Sequence, residues 1–161
     1  MYKFILALLI SMTINNSFSQ KMEHRFEVYQ DVNFVTDANT GDPAIPVAGI
    51  FIKYSFTQYG HGVAMNYEYA DIDRSRLHRI TFSPWHFDFV LGKKLTASLS
   101  AEFGLMYRFK HWYKTSGANV TLSYDVSNNF AVSTAARTMS RPDIYSIKTD
   151  ALVGVKYYIR R

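Results

Sequence analysis

Two short stretches hold residue types that could do chemistry. "HWYKTSG", residues 111–117, places His111 and Ser116 five positions apart. A serine hydroxyl activated by an imidazole is a nucleophile for acyl transfer, provided the two side chains meet and a third group orients the ring. No acid stands in that stretch to do so. "WHFDF", residues 85–89, places His86 and Asp88 two positions apart, which puts both on one face of a strand. Such a pair can ligate a metal, relay a proton or simply share a hydrogen bond, and a metal would need a third ligand. The expectation here is a hydrogen-bonded pair, with no metal site and no cofactor. "YGHG" around His61 reads as a turn.

Both stretches lie in segments of one character. From Leu95 to Trp112, "LTASLSAEFGLMYRFKHW", the odd positions up to Phe109 are apolar or aromatic, while Thr96, Ser98, Ser100, Glu102, Arg108 and Lys110 are polar. Alternation with period two marks a strand whose two faces meet unlike surroundings. The run is far longer than the ~5–6 residues of an ordinary soluble strand. Eight such stretches occur, at 24–34, 47–58, 62–70, 77–91, 95–110, 118–126, 130–139 and 151–160. The fourth keeps its phase only if a bulge at Ser83–Pro84 shifts it, as proline in a strand favours.

The connections at 59–61, 92–94 and 127–129 are short and rich in turn residues. Those at 35–46, 71–76, 111–117 and 140–150 are longer and alternate with them, which predicts that these four reach the cell exterior. The fold expected is all-β: an eight-stranded antiparallel up-and-down transmembrane β-barrel.

Residues 1–19, "MYKFILALLISMTINNSFS", have a basic residue at Lys3, a short apolar stretch and small residues at Ser17 and Ser19. That layout predicts a secretory signal peptide cleaved before Gln20, leaving 20–161 as the barrel. The chain has no cysteine, so no disulfide supports the fold. Its net charge is +5. The four longer connections carry five basic and six acidic residues, so no outward basic patch of the kind nucleic acid requires is present.

Alternation leaves two closed barrels open. A secreted lipocalin-like carrier would point its apolar set inward around an oily ligand, whereas a membrane barrel points it at lipid. The membrane reading is favoured because Tyr54, Tyr67, Tyr69, Trp85, Tyr107, Tyr124 and Tyr157 suit membrane interfaces. An eight-stranded interior also has no room for the whole apolar set. The opposite set includes small residues such as Ala64, Ser98, Ser100, Gly104, Ser133 and Gly154, which fit a narrow tube.

On these eight strands the chain resembles the small outer-membrane barrels of the OmpA and OmpX type. The resemblance is architectural, and no diagnostic motif carries it. It implies the outer membrane of a Gram-negative cell, contact with its lipid and lipopolysaccharide, and assembly by the outer-membrane insertion machinery. A structural, adhesion or complex-subunit role among other envelope proteins follows, without enzymatic activity. Members of that group often end on an aromatic residue, and this chain ends "GVKYYIRR". Some barrels of this size are lipid A deacylases or palmitoyltransferases, which makes His111 and Ser116 the alternative catalytic pair. The deacylase His-x-Ser spacing is absent, because Tyr113 follows His111 by two.

The polar face gathers Arg25, Glu27, Lys53, Glu68, Glu102, Arg108, Asp125, Arg137 and Lys156 into an expected luminal ion network. Hairpin arithmetic around Gly60 sets Lys53 opposite Glu68. Around Lys114 it sets Glu102 opposite Asp125, two carboxylates that need a shared cation such as Arg25, Arg137 or Lys156. A lumen plugged by these contacts is the expectation.

Overall fold

The computed structural model describes residues 22–31, 48–72, 75–143 and 146–160. The expected signal peptide and the 35–46 connection lie outside them. Eight antiparallel strands follow one another: β1 (Glu23–Asp31), β2 (Ala48–Gln58), β3 (His61–Ile72), β4 (Ser75–Val90), β5 (Leu95–Arg108), β6 (His111–Asp125), β7 (Phe130–Arg141) and β8 (Ser146–Arg160). Each pairs with its sequence neighbours, and β1 closes on β8.

Period-two patterning decides what each face meets. In β7, Ala131, Ser133, Ala135, Arg137 and Met139 are buried, while Val132, Thr134, Ala136 and Thr138 are exposed. The same division runs round the barrel. Ile80, Phe82, Trp85, Leu99, Phe103, Val120 and Val153 stand on the outer wall. Glu27, Lys53, Arg79, Glu102, Arg137 and Lys156 lie inside, each at most 1% exposed. This is a transmembrane β-barrel turned inside out relative to a soluble one, so the lipocalin-like alternative is excluded.

Two hairpins close in two residues with left-handed backbone at both positions: Tyr59 and Gly60 (φ 54° and 75°), and Phe109 and Lys110 (φ 51° and 64°). Positive φ at both central residues matches the twist of the flanking strands. The bulge falls where proline calls for it. Register slips between Phe82↔Phe103 and Trp85↔Ala101, and this moves the outward face from even to odd residues.

The connections differ from expectation. Residues 111–117 are not a loop but the first half of β6, paired with β5 down to Arg108↔His111. Most of 71–76 and 140–150 likewise belongs to β3, β4, β7 and β8. Above the lipid both faces of a strand meet water, so alternation disappears from the sequence while the hydrogen-bonded ladder continues.

Candidate functional site

Among the described residues the lumen concentrates the polar chemistry, and it is built in layers. Nearest the chain termini, Arg25 donates to Asp88 at 2.5 Å and to Glu23 at 2.8 Å. Ser98 donates to the other Asp88 oxygen at 2.7 Å, and the His86 ring lies 3.2 Å from that same oxygen. Next comes Glu27. Strand register flanks it with Lys53 on β2 and Lys156 on β8, so one carboxylate sits between two ammonium groups. Lys156 Nζ is 3.6 Å away, and the Tyr29 hydroxyl donates to Glu27.

An apolar layer of Tyr29, Phe51, Ala135 and Leu152 separates this cluster from the next. Gly154 makes room for it, because a Cβ there would come within 2.2 Å of the Val28 carbonyl and 2.6 Å of the Tyr29 ring. On its far side the Arg137 guanidinium lies 4.3 Å over the Phe51 ring. Arg137 donates to Glu102 at 2.8 Å and also to Glu68, so one guanidinium serves two carboxylates. Arg79 donates to Glu68 at 2.6 Å, and Thr81 to Glu102 at 2.9 Å.

Beyond a second apolar layer of Ala70, Leu77 and Met106, a further ion cluster stands at the mouth. There Asp143, just past β7, accepts from Arg108 at 2.7 Å and from Arg141 at 2.8 Å. Burial alone would raise the Asp143 carboxyl. The hydrogen bonds from Arg141 and Arg108 outweigh that and hold it at about 2, below the usual carboxylate range.

Of the nine residues expected in the network, Glu27, Lys53 and Lys156 come together, as do Glu68, Glu102 and Arg137. Two pairings are corrected. Lys53 stands opposite Asn66 and Glu68 opposite Phe51, because the turn centres on Tyr59–Gly60 rather than Gly60. Glu102 stands opposite Gly117, and Asp125 lies at the other end of β6, because the hairpin turns at Phe109–Lys110 and not near Lys114. The shared cation falls to Glu68 and Glu102 instead.

Arg79, Tyr29 and Phe51 were missed as network members. Period two placed all three on the polar face, but nothing local marks an aromatic there as a lumen plug. Arg141 and Asp143 were missed because their segment reads as loop.

The alternative catalytic pair does not form. His111 sits at the rim beside Tyr113, with ring centroids 6.4 Å apart. Ser116, an odd number of residues along the same strand, points to the outer wall, and its amide donates to Ser140 Oγ at 2.9 Å. Among the described residues no group of His, Asp and Glu is placed to hold a metal.

A closed eight-stranded barrel with an apolar wall and a packed, charged lumen defines the small transmembrane β-barrels. Comparison with solved structures places the chain beside particular members of that class. Neisserial surface protein A superposes with a TM-score of 0.63 at 13% identity, over 84% of this chain and 96% of that one. Ail, the attachment invasion locus protein of Yersinia pestis, gives 0.55 at 13% identity over 87% and 100%. A de novo designed transmembrane β-barrel gives 0.53 at 14% identity over 88% and 100%. At these identities the likeness is one of fold. No protein-family model and no curated protein matches the sequence.

Proposed function

We propose that this chain is a non-enzymatic, non-conducting outer-membrane barrel of a Gram-negative cell that acts through its surface, in a structural, adhesive or complex-subunit role. The observation that carries this reading is the lumen. Among the described residues it is filled by the Arg25–Asp88 and Glu27 clusters, an apolar layer, the Arg137 cluster, a second apolar layer and the Arg108–Asp143 cluster, and a pore needs a continuous hydrated path. Residues 1–19, read as a signal peptide, would deliver the chain for insertion by the outer-membrane machinery. Lipopolysaccharide and neighbouring envelope proteins would then be its partners. Ail takes its name from attachment and invasion. A binding role here would fall to the end of the barrel that carries the β5–β6 hairpin.

The test is made in cells and in bilayers. The protein should fractionate with the outer membrane and require detergent for extraction. A cysteine replacing Lys110 should react with an impermeant reagent on intact cells, and one replacing Lys93 should not. Lipid A acyl composition should be the same with and without the gene. Large, steady single-channel conductance from the purified protein would reject the plugged lumen, and a changed acyl pattern would reject the non-enzymatic reading.

A further inference from the structure

The bulge at Ser83–Pro84 turns His86 into the lumen. Before it the inward residues of β4 are odd-numbered, as Arg79, Thr81 and Ser83 are, and after it His86 takes the inward place. Ser83 and His86 are both 0% exposed. The wall beside them is made of small side chains. Register sets Ser100 opposite His86, and Ser55 and Ser83 on either side of Ala64. Strand pairing therefore gathers Ser55, Ala64, Ser83, His86 and Ser100 on one patch of the inner wall, spread over β2 to β5.

Polar atoms without a protein partner crowd this patch. Among the described residues nothing hydrogen-bonds Ser55 Oγ, Ser100 Oγ, Asn66 Oδ1 or either nitrogen of the His86 ring. The ring comes within 3.2 Å of Asp88 without making a hydrogen bond. Across the tube, Lys156 Nζ and Glu27 Oε1 are 3.6 Å apart, beyond hydrogen-bonding reach, and are likewise unpartnered. The charges of Lys53 and Glu27 act on the His86 ring, so the two sides share one compartment. All six residues are at most 3% exposed. A buried polar atom left without a partner is costly, and seven such atoms in one compartment call for a ligand that bonds them.

Their chemistry selects that ligand. Lys156 can only donate, the ionised Glu27 and Asn66 Oδ1 can only accept, and the serine hydroxyls do both. An anion would meet the two acceptors, and a cation would meet Lys156. The fixed charges also balance without an ion, since Arg25, Lys53 and Lys156 stand against Glu23, Glu27 and Asp88. A small neutral molecule that both donates and accepts fits, and small side chains leave it room.

We propose that His86, Ser55, Ser100, Asn66, Glu27 and Lys156 bind a cluster of ordered water molecules, which links the two inner ion clusters past the first apolar layer. Protein groups complete the link. Asn66 donates to Ser83 at 3.1 Å and to Thr81 at 3.0 Å, and Thr81 donates to Glu102 at 2.9 Å. Beyond Glu102 the layer of Ala70, Leu77 and Met106 interrupts the path, so the lumen stays closed to ions.

Water-selective NMR of the full chain in detergent micelles tests it. Magnetisation should pass from water to the carbon-bound protons of His86, Ser55 and Ser100 roughly threefold more strongly than to those of Ala135 and Leu152 in the apolar layer. Ser55→Val combined with Ser100→Val fills the space and should bring the His86 transfer down to the Ala135 level. Ser55→Ala combined with Ser100→Ala leaves the space open and should keep it. Equal transfer to His86 and Ala135 in the wild type would overturn the water cluster, whether or not the valine variant folds. Transfer to His86 that survives in a folded valine variant would overturn it as well. A His86 ring shift that moves when bromide replaces chloride, or rubidium replaces sodium, would assign the space to an ion and overturn water.

Discussion

The two inner ion clusters use different chemistry for the same task. Around Arg137, two guanidinium groups meet two carboxylates, and Arg137 alone bonds both Glu68 and Glu102. Around Glu27, one carboxylate lies between two lysines, and the Lys156 contact is 3.6 Å long. A planar fork fixes direction as well as charge, whereas an ammonium is a point charge on a flexible stem. The Arg137 cluster therefore ties β3, β5 and β7 together across the tube at set positions. The Glu27 cluster is held largely by register, because β2 and β8 bring both lysines to β1 whatever the finer geometry.

The largest effect should come from breaking the fork. Arg137→Met leaves two buried carboxylates without their shared cation and should cost about 3–5 kcal/mol in urea titrations of the barrel folded into lipid. A wall substitution is next: Leu99→Arg, one residue from lumen-lining Ser100, places a guanidinium in lipid with none of Arg137's partners. It should cost about 2–4 kcal/mol if position 99 lies near the bilayer midplane. No change there would mean that the wall does not face lipid.

Lys156→Met should cost less, about 1–3 kcal/mol, since Glu27 keeps Lys53 in register and the Tyr29 hydroxyl. Equal costs for Arg137→Met and Lys156→Met would erase the contrast between the clusters. A double-mutant cycle sharpens it: coupling between Arg137 and Glu102 should exceed that between Lys156 and Glu27.

The smallest effect belongs to the mouth. The Asp143 carboxyl is held at about 2, below its ordinary 3.8, so its contribution is present above pH 4 and is lost as pH falls through 2. Wild type should exceed Asp143→Asn in stability at pH 5 by no more than about 1 kcal/mol, because the turn is partly solvated. That advantage should fade toward pH 2. An advantage that persists unchanged at pH 2 would show that the carboxylate is not what holds the turn.

Much of this was legible in the residues themselves. Period two sorted Phe103 from Glu102 and Val153 from Leu152 without any tertiary information, because each strand has only two faces. The break at Ser83–Pro84 was legible for the same reason: Phe82 and Trp85 can share a face only if a residue is gained between them. What the sequence determined was therefore the number of strands, the face of each side chain and the barrel they imply.

The tertiary structure alone decided which charges meet. Partnership depends on where each hairpin turns, and Phe109–Lys110 carries no glycine to mark it. Centring that hairpin there rather than near Lys114 moved Glu102 from Asp125 to Gly117 and left Arg137 to bridge Glu68 and Glu102 across the tube. Contacts across a lumen join residues far apart in the chain, as Arg137 and Glu68, 69 positions apart, show. Local pattern specifies a face. Closure of the barrel specifies the neighbour opposite.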